Sequence, residues 1–240
     1  MVNMKRIYNT AVIYTTIMAI GIFICKQFKN VSYLDSNFIN TFIPFLIALT
    51  PFSVICYKKY NENVGNHKSK HTIFMLLFTP VILISLFTIM KKFEFSNLFF
   101  IPLVGALLVG LNEELIYRGV IFTNVTEEKG LKKGIFISAF LFSLLHTVNI
   151  LGGLSFSQVA TQLVTTFIAG IFLALSYRNT KNIWLLVVYH GLWDYISLSG
   201  IGKIYPIVDI IVVILSIVEL TVSLVLLKNI RKKSISVIKN

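Results

Sequence analysis

Eight stretches, each about the 20 apolar residues that a helix needs to cross a ~30 Å hydrocarbon core, follow one another along this 240-residue chain. They cover residues 7–25, 38–57, 72–90, 98–125, 131–148, 157–177, 183–199 and 205–227. Backbone N–H and C=O groups have no water to bond in a bilayer, so open-ended sheets and loops are excluded there and helices remain. The expected fold is all-α: a polytopic integral membrane protein with about eight transmembrane helices. Prolines within or near these runs (Pro44, Pro51, Pro80, Pro102, Pro206) are compatible with it, because neighbouring helices can satisfy the freed backbone groups. No internal repeat, long linker or separate soluble unit interrupts the pattern, so residues 1–240 read as a single membrane domain. Composition agrees. The chain is 56% hydrophobic and 13% charged, where soluble domains hold about 45–50% and about 25%.

The formal charge of +12 would point to nucleic acid in a soluble protein. Here the cations lie mainly between the apolar runs, where they set orientation and meet anionic lipid headgroups, so no nucleic-acid partner is expected. With the N-terminus placed in the cytoplasm, the inner segments hold 16 Lys and Arg and the outer ones 5, Arg118 being left inside a span. The expected topology is a multi-pass cell-membrane protein with both termini cytoplasmic. The first run follows Lys5 and Arg6 as a signal peptide would. It lacks a small-residue cleavage site, and Ile24 precedes Cys25 where a lipoprotein signal wants Gly or Ala, so it reads as a retained span. Cys25 and Cys56 form no metal spacing and no disulfide framework, and read as small core residues.

Ionisable groups inside spans are costly and mark function by default. The fourth span carries Glu113, Glu114 and Arg118; the fifth His146; the seventh His190 and Asp194; the eighth Asp209 and Glu219. Residues four apart share a helix face, which pairs Glu114 with Arg118 and His190 with Asp194. At ~1.5 Å per residue, Glu113 and His146 both lie ~18 Å from the inner ends of their spans, Asp194 ~17 Å and His190 ~11 Å. Three helices separated in sequence thus bring their polar groups to nearly one level. Asp209 and Glu219, outside this set, read as a wetted boundary residue and as helix-pairing glue. His67 and His71 fall in a basic, solvated loop and are not expected to hold a metal.

Together these groups supply a carboxylate able to serve as general base, imidazoles with pKa values near neutral, and N and O ligands of the sort that hold zinc. No Ser or Cys nucleophile stands beside the histidines, so water-mediated hydrolysis is the sharper reading.

Glu113-Glu114-x-x-x-Arg118, Phe142-x-x-x-His146 and His190-x-x-x-Asp194, in that order on separate spans, resemble the three motifs of the CPBP intramembrane proteases. That family includes the type II CAAX prenyl endopeptidases and the bacterial Abi proteins. The resemblance covers about residues 98–200, the expected catalytic core. It implies that Glu113 activates water with the help of His146. It further implies that His190 and Asp194 stabilise the oxyanion, bind a metal, or both, and that Glu114 and Arg118 form a buried pair orienting Glu113. The family has been described both as metalloproteases and as glutamate-dependent proteases without an essential metal. Zinc on His146 and His190 is therefore one expectation and a metal-free site the other; there is no His-Glu-x-x-His to mark zinc. The expected substrate is a membrane-embedded peptide or protein, in bacteriocin self-immunity or peptide processing. The competing readings are a proton-coupled small transporter, whose usual repeated halves are not visible here, and a non-catalytic immunity or scaffold protein.

Overall fold

A computed structural model describes residues 3–61 and 69–238. Among these the chain is helical, with no strand. The long helices are α1 (Met4–Lys29), α2 (Phe38–Tyr60), α3 (Thr72–Lys92), α4 (Asn97–Glu114), α6 (Leu131–Leu145), α7 (Phe156–Thr180), α8 (Ile183–Leu198) and α10 (Pro206–Ile238). A π-helical segment (Leu115–Phe122) and the short α5 (Thr123–Lys129) continue α4, and a 3₁₀ segment (His146–Gly152) continues α6; α9 is one turn, Ile201–Ile204.

Every expected span is found as a helix. Seven helical stretches are long and apolar enough to cross a membrane, so the chain is a multi-pass membrane protein. The seventh expected span, 183–199, departs in length. Helix α8 has 16 residues, or ~24 Å, short of a ~30 Å core. Gly200, with φ 63°, turns the chain out of helix after it, a conformation that glycine adopts without the Cβ penalty. The outer surfaces are apolar, as a lipid-facing protein requires: Leu76, Leu83, Phe95, Ile210 and Ile214 are all more than half exposed.

The most extensive helix pairing is α4 against α8. It stands between two apolar cores. One gathers side chains of α3, α7, α8 and α10, the other those of α1, α2 and α6. The π segment reaches into both, with Leu115 and Phe122 in the first and Ile116 and Tyr117 in the second. The polar residues of α4, α6 and α8 are therefore held where the two cores meet.

Candidate active site

Two glycines let α4 and α8 come together. A Cβ at Gly110 would lie 2.7 Å from the backbone N of Gly191 and 2.7 Å from the Val187 carbonyl oxygen. One at Gly191 would lie 3.0 Å from the Leu107 Cα and 3.2 Å from the Ala106 carbonyl oxygen. The two helices thus meet backbone against backbone, one turn from Glu113 and Glu114 on α4 and next to His190 on α8. Beyond Glu114 the helix widens to the i→i+5 pattern, a rare form that is frequent at functional sites. Gly119 within it packs against the Tyr57 ring, which any side chain there would strike.

Glu114 is the clamp. Its Oε1 accepts from Arg118 Nη1 at 2.8 Å and from His190 Nδ1 at 2.8 Å, and its side chain is fully buried. The pair expected from i,i+4 spacing is present, and the same carboxylate oxygen also fixes the imidazole of α8. With Nδ1 committed to Glu114, His190 turns Nε2 toward the other two acids, 3.8 Å from Glu113 Oε2 and 3.5 Å from Asp194 Oδ2. Exposure rises in one direction: the Arg118 side chain is 1% exposed, that of His190 10% and that of Asp194 29%. The cluster is dry at Arg118 and opens past Asp194.

Phe142 ties in the third helix. The Arg118 guanidinium lies 4.2 Å from the centre of its ring, a cation–π contact worth ~2 kcal/mol where desolvated. The same ring stands edge-on to His146 at 5.3 Å, to His190 at 5.8 Å and to Tyr117 at 5.4 Å. His146 ends α6, and its Nδ1 donates to the Phe142 carbonyl at 3.0 Å. That bond places the proton on Nδ1 of the neutral ring and the lone pair on Nε2. The motif residues of α4, α6 and α8 thus surround one phenylalanine.

Several buried polar atoms here lack a partner among the described residues: Glu113 Oε2, Glu114 Oε2, Arg118 Nε and Nη2, and the Tyr14 hydroxyl contributed by α1. Groups of this kind cost ~1–3 kcal/mol each unless water or a ligand satisfies them. The ring of Tyr14 meets Tyr117 edge-on at 6.1 Å. Asn112, beside Glu113, donates from Nδ2 to the Leu46 carbonyl of α2 at 3.0 Å and pins α4 from its other side.

At the open end lies a second polar group. The segment between α1 and α2 is fastened to the 3₁₀ segment by the Tyr33 N–H and Ser32 hydroxyl, both donating to the Gly152 carbonyl at 2.9 Å. Asn149, three residues after His146, donates to Gln162 Oε1 at 2.8 Å, and Gln162 Nε2 donates to the Tyr33 hydroxyl at 3.4 Å. Loss of water around the half-buried Tyr33 hydroxyl raises its pKa to about 12. It therefore stays a neutral donor and acceptor at ordinary pH. Its hydroxyl also lies within electrostatic reach of Asp194 and Glu113.

The remaining sequence candidates are placed as follows. Glu219 is buried on α10 and accepts from the Tyr189 hydroxyl of α8, joining two helices away from the cluster. Asp209 is exposed in the first turn of α10. His71 is exposed at the start of α3, and His67 lies outside the described residues. Cys25 and Cys56 are buried and free. Among the described residues no group of three His, Cys, Asp or Glu side chains is arranged to hold a metal ion. His190 and His146 spend their Nδ1 atoms on Glu114 and on a backbone carbonyl, which leaves Nε2 of each ring as the atom able to meet water, substrate or a metal.

Fold and site define a class, a polytopic α-helical membrane protein with a buried Glu-Glu-Arg, His and His-Asp constellation. Residues 95–196 match the family model of the Rce1-like type II CAAX prenyl endopeptidases. Neither the curated proteins nor the solved structures contain a match.

Proposed function

We propose that the chain is an intramembrane endopeptidase in which Glu113 activates water to hydrolyse a peptide bond of a membrane-embedded substrate. The observation that carries this reading is Glu113 Oε2, which is buried, accepts no hydrogen bond among the described residues and faces His190 Nε2 at 3.8 Å. That separation is too long for a direct hydrogen bond and leaves the carboxylate free to hold water. A general base must have a lone pair free for the proton it takes; Glu113 Oε2 has one, whereas Glu114 is held as an anion by Arg118 and His190 through Oε1.

Water bound to Glu113, oriented by the free Nε2 lone pair of His146, attacks the scissile carbonyl carbon and gives its proton to Glu113. The carbonyl π electrons move onto oxygen. His190, in its protonated form, offers an Nε2–H to that oxyanion from a ring locked by Glu114, with Asp194 beside it. Preorganised donors of this kind supply much of the rate enhancement in acyl transfer. Collapse of the tetrahedral species breaks the C–N bond, and the proton held by Glu113 passes to the leaving amine. Water and amide become acid and amine, and no step uses a metal.

The substrate class follows from the depth of the site: a peptide or protein segment within the bilayer, in a role such as peptide processing or bacteriocin self-immunity. The test is incubation of purified protein with a panel of membrane-associated peptides, farnesylated Cys-aliphatic-aliphatic-X peptides among them, with and without a chelator. Cleavage that persists in chelator and vanishes in Glu113→Ala is expected. Cleavage abolished by chelator and restored by zinc would replace this mechanism with a metal-dependent one.

A further inference from the structure

Helix α7 breaks the apolar rule for a spanning helix over its first half. Ser157, Thr161 and Thr165 stand one turn apart, with Gln158 and Gln162 beside them. These five, with Leu154 and with Leu34 from the α1–α2 segment, line a shallow open cleft of ≈ 420 Å³. The Thr161 hydroxyl donates to the Ser157 carbonyl and that of Thr165 to the Thr161 carbonyl, so both hydroxyl oxygens keep lone pairs to accept with. Gln158 is held through Oε1 by the N–H and hydroxyl of Ser155. Its Nε2 has no partner among the described residues. The wall therefore presents neutral donors and acceptors, and no charged side chain lines it.

We propose that this cleft binds the substrate as an extended, unwound polypeptide, feeding its scissile bond past Gln162 and Asn149 to the Glu113–His190 cluster. The inference rests on the protease reading and names where that substrate lies. A helical segment must open before its peptide bond can be attacked, and each backbone group so freed costs several kcal/mol in hydrocarbon if left unpaired. The accepting hydroxyls of Thr161 and Thr165 and the Nε2–H₂ of Gln158 are partners such a strand needs. A lipid phosphate would call for Arg or Lys, and the cleft has neither. Continuity with the site is direct. Gln162 forms part of the cleft wall and bonds both Asn149, three residues from His146, and Tyr33, within reach of the charges on Asp194 and Glu113.

The experiment separates binding from turnover. A photo-crosslinking benzoyl-phenylalanine is placed at Thr161, or at exposed Ile214 on α10 as a lipid-facing control, in the full chain carrying Glu113→Gln. The protein is reconstituted in phosphatidylethanolamine–phosphatidylglycerol vesicles. The probe is a biotinylated peptide whose apolar segment of about 20 residues is broken by Gly-Pro. Position 161 is expected to capture the peptide and position 214 to capture lipid. In the active protein, Thr161→Trp is expected to raise KM about tenfold with kcat within about twofold, the mark of lost ground-state binding. Lipid captured at 161, equal peptide capture at both positions, or a parental KM in Thr161→Trp would overturn the proposal. Capture is read in a variant that does not cleave, so failure of the wild type to hydrolyse the probe would sink the protease reading while leaving the cleft decided by the crosslink.

Discussion

Adding one methyl group at Gly110 should cost the protein its proposed peptidase activity while leaving it folded. A Cβ there meets the Gly191 N and the Val187 carbonyl oxygen at 2.7 Å, both backbone atoms that cannot rotate away. Ordinary contact between such atoms is about 3.5 Å, so α8 must retreat by about 0.7–0.8 Å. The His190 Nδ1 to Glu114 Oε1 bond, now 2.8 Å, would stretch to about 3.5 Å, beyond the range of an N–H···O bond. Overpacking of this kind costs about 1–3 kcal/mol of stability, whereas misplacing a catalytic group by about 1 Å costs about 100-fold in rate. The control is Gly170→Ala, where the new Cβ meets the Ala139 Cα at 2.9 Å, in the α6–α7 contact and away from the α4–α8 crossing. Thermal unfolding in detergent and kcat on a cleaved peptide are measured for both variants. Similar losses of stability are expected, with the large loss of kcat confined to Gly110→Ala. If Gly110→Ala keeps the parental rate, or both variants lose activity equally, the claim that the glycine crossing sets the site geometry is wrong.

Further expectations follow from the same geometry. Arg118→Ala strands Glu114 as a buried charge and should cost about 3–5 kcal/mol, read as a lower folded yield and melting temperature; a parental melt would contradict the pairing. Phe142→Leu removes the ring shared by Arg118, His146 and His190 and should lower kcat more than KM, whereas a change confined to KM would assign the ring to substrate binding. His190→Ala and Asp194→Ala should be non-additive in kcat, because both act through one Nε2; strictly additive losses would place them in separate roles. With both termini inside, Ser155→Cys should react with an impermeant maleimide on intact cells and Asn229→Cys should not, and labelling of Asn229→Cys would reverse the orientation.

What could be read from the sequence was periodic or local. Runs of apolar residues mark spans because the bilayer admits little else, and i,i+4 spacing pairs Glu114 with Arg118. The matching depths of Glu113, His146 and Asp194 anticipate a meeting of α4, α6 and α8, and the motif residues of these helices do gather around Phe142. Depth could not show which oxygen bonds which nitrogen. That Glu114 holds His190 depends on the azimuth of α8, which the Gly110–Gly191 crossing sets, and two glycines 81 residues apart carry no sign of facing each other. The π segment was equally hidden, since Leu115–Phe122 is apolar enough to read as ordinary helix. Asn149, Gln162 and Tyr33 were passed over because they bear no charge; the run of Ser, Gln and Thr from 157 to 166 on an otherwise apolar span was the available signal. The bounds of α8 are legible to within a residue, 183–199 against Ile183–Leu198; only its shortfall against a full bilayer crossing sets it apart from the other spans.

The central claim is that Glu113 is the base. The most direct measurement is the single-turnover cleavage rate of one defined membrane peptide by the wild type and by Glu113→Gln, at matched folded yield in the same detergent. Glutamine keeps the shape of the side chain and loses the basic oxygen. The rate is expected to fall by about 10²–10⁴, the usual contribution of a general base, with peptide binding retained. Cleavage by Glu113→Gln within about tenfold of the wild type would contradict the mechanism.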